Sequence, residues 1–118
     1  RGRFLHIENV QLRRPEVEAD APLTNAEGRC VNDRIAQRPG FTSKQMHLLA
    51  LTYIAASARA GHWLIPAYHA VIDSSFPGGH DDPQNFDLVA WSQKIDAAVS
   101  EIERASNIAG SQEEHFGR

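Results

Sequence analysis

The residues best suited to chemistry lie between His69 and Asp82. This stretch of 14 residues contains two histidines, His69 and His80, and three aspartates. Histidine nitrogen and aspartate oxygen are both good zinc ligands, and a catalytic zinc site combines three protein ligands with an open position for water. A histidine at a strand end and an aspartate in the following loop can converge on one ion. The pattern also fits a solvated loop in which Asp82 makes an Asx-turn and His69 borders the core.

A further carboxylate lies in the first predicted element. Residues 3–12 carry apolar side chains on both faces near their start, which predicts a strand covered on both sides in a layered fold. Glu8 lies between Ile7 and Val10 in this strand. A carboxylate buried there would need a functional reason, and the alternative is an acid on the surface of the sheet.

Two helices follow from local signals and from periodicity. Thr42 and Gln45 have the spacing of a capping box, which predicts a helix over residues 43–60, and Gly61 ends it. Leu88, Trp91 and later apolar residues recur at spacings of three and four, which predicts a helix over about 87–106.

The remaining segments complete the expected architecture. Residues 13–40 predict a long loop with one helical turn around 32–37, residues 67–73 a strand or a passage from strand to loop, and residues 74–84 a loop. We therefore expect an α/β domain with a mixed β-sheet flanked by helices over residues 1–108, and a flexible tail over 109–118.

Composition limits the class of protein. The chain has 118 residues, 42% of them hydrophobic, which is enough for a packed core. Its net charge of −3 argues against a nucleic-acid partner. No apolar run approaches the roughly 18 residues that span a bilayer, so we expect no membrane span. The single cysteine, Cys30, excludes an internal disulfide.

Several segments, in order, resemble the type-2 N-acetylmuramoyl-L-alanine amidases and the peptidoglycan-recognition proteins that share their fold. Each corresponds to a motif of that family: a strand ending in Ile-Glu, a helix start Phe-Thr-x-x-Gln, an Ile-Pro after that helix, a histidine metal segment, a loop ending in Asp-Pro, and a Phe-Asp ending. In this chain the segments are Phe4–Glu8, Phe41–Gln45, Ile65-Pro66, His69–Ile72, Pro77–Gln84 and Phe86-Asp87.

The resemblance implies a zinc-dependent hydrolase that cleaves the amide bond between N-acetylmuramic acid and L-alanine in peptidoglycan or muropeptides. It implies His69 and Asp82 as zinc ligands and Glu8 as the general base. His80 takes the place of a family lysine that stabilises the oxyanion. Three aromatic side chains would flank a substrate groove: Trp63, Tyr68 and Phe76.

The family's first zinc histidine lies on a strand upstream of the Ile-Glu strand. The resemblance therefore implies that this chain holds only the C-terminal part of the domain, and that a second chain or an N-terminal segment supplies that histidine. Its setting would be the periplasm or the extracellular cell wall, with a cytoplasmic recycling enzyme as the other option. Two alternatives stay open: a non-catalytic peptidoglycan-binding module of the same fold, and a small α/β interaction domain.

Overall fold

The structure is a computed structural model that describes residues 4–18 and 20–116. Within these residues it contains four helices: α1 (Asn32–Ile35), α2 (Ser43–Ala60), α3 (His69–Ile72) and α4 (Leu88–Phe116). None of the described helices combines the length and apolar character needed to cross a bilayer.

The chain forms two compact units, which alternate along the sequence. The first unit comprises the described residues up to Gln45 together with Pro66–Phe86, and the second comprises Met46–Ile65 together with the described residues from Asp87 onward. The predicted metal ligands lie in the first unit. The two longest helices contribute most of the second.

The predicted mixed β-sheet is wrong for the described part of the chain. Pairing there is limited to two isolated antiparallel bridges, Arg13 with Ala36 and Thr24 with Cys30. Residues 4–12, the described part of the predicted strand, are extended but form no ladder. Alternation alone does not make a strand, because a strand is stabilised by hydrogen bonds to a neighbour, and no neighbouring strand exists among the described residues.

The second predicted strand, residues 67–73, is also wrong. Residues 69–72 form the single turn of α3, in which the N–H of Ile72 donates to Tyr68 O at 2.9 Å and that of Asp73 to His69 O at 2.8 Å. The β-branched pair Val71 and Ile72 favours a strand. This preference is weak beside the local hydrogen bonds of a turn when no partner strand is present.

The bounds predicted for α2 are confirmed, and so is its capping box. The N–H of Gln45 donates to Thr42 Oγ1 at 3.1 Å, and the N–H of Thr42 donates to Gln45 Oε1 at 2.9 Å. At the other end Gly61 has a φ of +77°, and the N–H of His62 donates to Ser57 O while that of Gly61 donates to Ala58 O. This is a Schellman ending, which satisfies two of the last carbonyls.

The helix predicted over 87–106 is present but longer, since α4 continues to Phe116. The residue before its first turn, Asp87, caps it, because the Asp87 carboxylate accepts from the N–H of Ala90 at 2.9 Å. Within the second unit, Trp91 of α4 meets Tyr53 of α2 edge-on, with ring centroids 5.1 Å apart. The buried residues of this unit are three small side chains, one methionine and one tryptophan: Ala50, Ser57, Ala98, Met46 and Trp91. The short helical turn expected around residues 32–37 is confirmed as α1.

Candidate metal centre

Three of the residues singled out in the sequence meet in the first unit. His69, His80 and Asp82 each offer one ligand atom, and these atoms all lie within 4.8 Å of one another. Nδ1 of His69 lies 3.2 Å from Oδ2 of Asp82, and Nδ1 of His80 lies 3.9 Å from Oδ1 of the same carboxylate. We call these three residues the His-His-Asp cluster.

Local structure explains how residues 13 positions apart come together. His69 is the first residue of α3, and the chain then turns back through hydrogen bonds from Phe76 N–H to Asp73 O and from Gly79 N–H to Phe76 O. The N–H of Ala70 donates to Asp82 O at 2.9 Å, which ties the returning chain to α3. The loop is therefore closed at its base, beside both ligands.

The turn around Gly79 leaves no room for a larger residue. A Cβ at this position would overlap the carbonyl oxygen of Asp73 and would lie 3.0 Å from the carbonyl oxygen of Phe76. The N–H of the next residue, His80, donates to the Asp73 carboxylate at 3.4 Å. Asp73 and Gly79 thus determine where the backbone of His80 lies.

Outer contacts fix the far end of the loop. Asn32 Nδ2 donates to Asp81 Oδ1 at 2.6 Å, and the N–H of Gln84 donates to Gln11 Oε1 at 3.3 Å. Asn85 Nδ2 donates to Gln37 O at 3.0 Å. These bonds connect the residues on both sides of Asp82 to segments distant in sequence and so fix the backbone that carries it.

The distances suit a small divalent cation. With bonds of about 2.0–2.2 Å, tetrahedral zinc ligands lie about 3.3–3.5 Å from each other. The separation of 3.2 Å between His69 Nδ1 and Asp82 Oδ2 is close to this value and also fits a hydrogen bond. The separation of 3.9 Å between His80 Nδ1 and Asp82 Oδ1 exceeds it, so His80 would have to move inward to share an ion. The two imidazole rings lie at 76° with centroids 5.1 Å apart, so they do not stack against each other.

The cluster is open to solvent on one side. The side chains of His69 and Asp82 are 38% and 47% exposed, and that of His80 is 62% exposed. Water can therefore reach a fourth position, as a catalytic site needs. The same three ligand types serve other divalent metals besides zinc.

His80 is the residue whose place the sequence did not predict. The structure brings its ring beside the two expected ligands, and its expected action on the oxyanion stays a prediction. The signal was available, because His80 and Asp82 stand two residues apart in one loop after a double glycine.

Glu8 is not part of the cluster. It lies exposed in the extended segment 4–12 instead of in a covered strand. His6 and His62 are likewise exposed and outside the cluster. The role of Glu8 as general base stays a prediction.

The three aromatic residues expected to flank a groove have different surroundings. Phe76 is exposed in the turn after α3, and Trp63 is exposed in the second unit. Tyr68 packs against Phe86 with ring centroids 5.5 Å apart, and its hydroxyl is buried with no hydrogen-bond partner among the described residues. This burial raises the pKa of the Tyr68 hydroxyl above 10.0.

Comparison with protein-family models, with curated proteins and with solved structures finds no match for this chain. The resemblance to the amidases therefore depends on the short motifs alone.

Proposed function

We propose that the His-His-Asp cluster binds one divalent metal ion, with zinc as the first choice, and that the chain belongs to a metal-dependent hydrolase. The observation that supports this is the convergence of two imidazoles and one carboxylate within 4.8 Å, at a site open to water. Three protein ligands and an open position are typical of catalytic zinc sites.

The proposed reaction is hydrolysis of the amide between N-acetylmuramic acid and L-alanine. The water oxygen forms a bond to the lactyl carbonyl carbon, the carbon–nitrogen bond breaks, and the alanine nitrogen leaves as an amine after taking a proton. A bound zinc ion would polarise the carbonyl and lower the pKa of water toward neutrality. The substrate class is supported by the motif resemblance alone.

In this proposal the chain's own residues have separate tasks. His69, His80 and Asp82 hold the ion, while Asp73 and Gly79 fix the loop that carries His80. Glu8 is the proposed acceptor of the water proton. Because it lies outside the cluster, its contribution must be measured directly with Glu8→Gln, which keeps the shape of the side chain and removes the base.

The first experiment measures metal binding by the whole protein. After dialysis against a chelator, zinc should bind with one ion per chain in isothermal titration, and His69→Ala, His80→Ala and Asp82→Asn should each abolish or strongly weaken it. His47→Ala is the matched control, since His47 is exposed on α2 and outside the cluster. If all four variants bind zinc as the parent does, the three residues form only a hydrogen-bonded loop.

The second experiment asks whether bound metal is used in cleavage. Muropeptide is incubated with the zinc-loaded protein, and released stem peptide is measured by mass spectrometry. The hydrolase with Glu8 as base is supported if cleavage is lost in both His69→Ala and Glu8→Gln. Zinc binding should be lost in His69→Ala alone.

A second candidate function is a peptidoglycan-binding module without catalysis. The observation that favours it is the position of the expected base, Glu8, outside the cluster. Saturable muropeptide binding with bound zinc and no released peptide would select this function over the hydrolase.

A further inference from the structure

A groove in the second unit is separate from the His-His-Asp cluster and has its own chemistry. It is a depression of about 320 Å³ that is open to solvent, and it is lined by α2, by the segment after it and by α4. We call it the Trp63 groove, and its lining residues are Tyr53, Trp63, Ser92, Ile95 and Asp96. Its volume is at the lower end of the range for ligand sites, which suits one small chemical group.

Trp63 is exposed and yet held in place. Its side chain is 57% exposed, and its ring stacks on that of Tyr53 with centroids 5.6 Å apart and planes 21° apart. The following residue, Leu64, is fixed at both backbone groups: its carbonyl accepts from the Tyr53 hydroxyl at 2.7 Å, and its N–H donates to Ser57 Oγ at 3.2 Å. A large aromatic ring that is both exposed and preorganised is typical of binding residues.

Besides the donor N–H of the Trp63 indole, the groove offers two acceptor side chains. Asp96 contributes a carboxylate, and no cationic side chain pairs with it among the described residues. Ser92 donates its hydroxyl proton to Val89 O at 2.8 Å, which leaves only its oxygen lone pairs for a ligand. The lining residues include no lysine, arginine or histidine.

From this combination we propose that the Trp63 groove binds an alkylammonium group. The positive charge would lie against the part of the Trp63 ring that the stack with Tyr53 leaves exposed, where the ring quadrupole attracts cations. The ammonium N–H groups would donate to the carboxylate of Asp96 and to the hydroxyl oxygen of Ser92. A neutral sugar would use the aromatic ring but would gain nothing from the negative charge.

The test is a titration of the whole protein followed by the NMR signal of the Trp63 indole N–H, assigned with Trp63→Phe. The probes are n-butylammonium chloride, its neutral isostere 1-butanol, and N-acetylglucosamine, at constant ionic strength. We expect a saturable shift with n-butylammonium and binding about two- to five-fold weaker with 1-butanol. Asp96→Asn should weaken n-butylammonium binding by about two- to five-fold and leave 1-butanol unchanged.

Glu103→Gln is the matched control, because it removes one negative charge from an exposed position of α4 outside the groove lining. It should leave every affinity as in the parent. Equal binding of n-butylammonium and 1-butanol, an equal effect of Glu103→Gln and Asp96→Asn, or saturation with N-acetylglucosamine alone would each overturn the proposal. These results do not depend on whether the His-His-Asp cluster binds metal.

Discussion

Replacing Gly79 by alanine tests whether the shape of the loop controls the proposed metal site. The added Cβ would overlap the carbonyl oxygen of Asp73 and approach both Asp73 Cβ and Phe76 O to 3.0 Å. Two of these three atoms are backbone oxygens and the third is a Cβ bonded directly to the backbone, so no flexible side chain can move aside to make room. The loop itself must shift.

The size of the effect follows from the contacts. Forcing an extra carbon into a closely packed place costs about 1–3 kcal/mol. In the metal-free protein the exposed loop can relax and avoid most of this strain. Binding an ion requires His80 to return to within coordination distance of Asp82, where bond lengths tolerate deviations of only about 0.2 Å. The strain then opposes binding, which corresponds to a loss of about 5- to 150-fold in zinc affinity.

The assay is competition for zinc between the protein and a chromophoric chelator. Gly110→Ala is the control, because a Cβ at this position of α4 meets no atom within 4 Å; it should leave zinc affinity unchanged and stability equal or slightly higher. If Gly79→Ala binds zinc as tightly as the parent, then the loop around Asp73 does not position His80 for a metal.

Three further predictions concern stability. Tyr68→Phe removes a buried hydroxyl that has no partner among the described residues, so it should be neutral or stabilising by about 1 kcal/mol in urea unfolding. Burial raises the folded-state pKa of Tyr68 above 10.0, so the unfolded chain loses this proton at lower pH than the folded chain. The free energy of unfolding should therefore fall as pH rises above about 10, and it should fall less steeply in Tyr68→Phe. Identical pH profiles for the two proteins would contradict this. Asp87→Ala removes the acceptor for the N–H of Ala90 and should lower stability by about 1 kcal/mol in the same assay, whereas Asp87→Asn, which keeps an acceptor, should retain most of it.

The sequence predicted best what is determined locally. The bounds of α2 follow from Thr42 and Gln45 at its start and from Gly61 at its end, and each of these signals lies within a few residues of the boundary it sets. The approach of Asp82 to His69 was also within reach, because one loop with a double glycine joins them.

What the sequence did not predict depends on distant partners. Apolar alternation over residues 3–12 cannot reveal whether another strand lies beside that segment, and none does among the described residues. The sequence also does not predict the Trp63 groove, because Asp96 stands 33 positions after Trp63 and only the packing of α4 brings the two residues together. The motif gives His80 a role at the oxyanion, which stays a prediction, but it cannot show that the turn at Gly79 brings the His80 ring beside His69 and Asp82.

The C-terminal half of α4 should unfold locally more readily than the first half. Every residue from Ser100 to Gln112 is exposed, whereas Trp91 and Ala98 nearer the start of the helix are buried. A helical stretch without buried side chains is held by its own backbone hydrogen bonds, and an isolated helix of this length is marginal in water. Amide protons in these last turns should therefore exchange with solvent through fraying, far faster than those beside Trp91, so that one continuous helix contains two levels of protection.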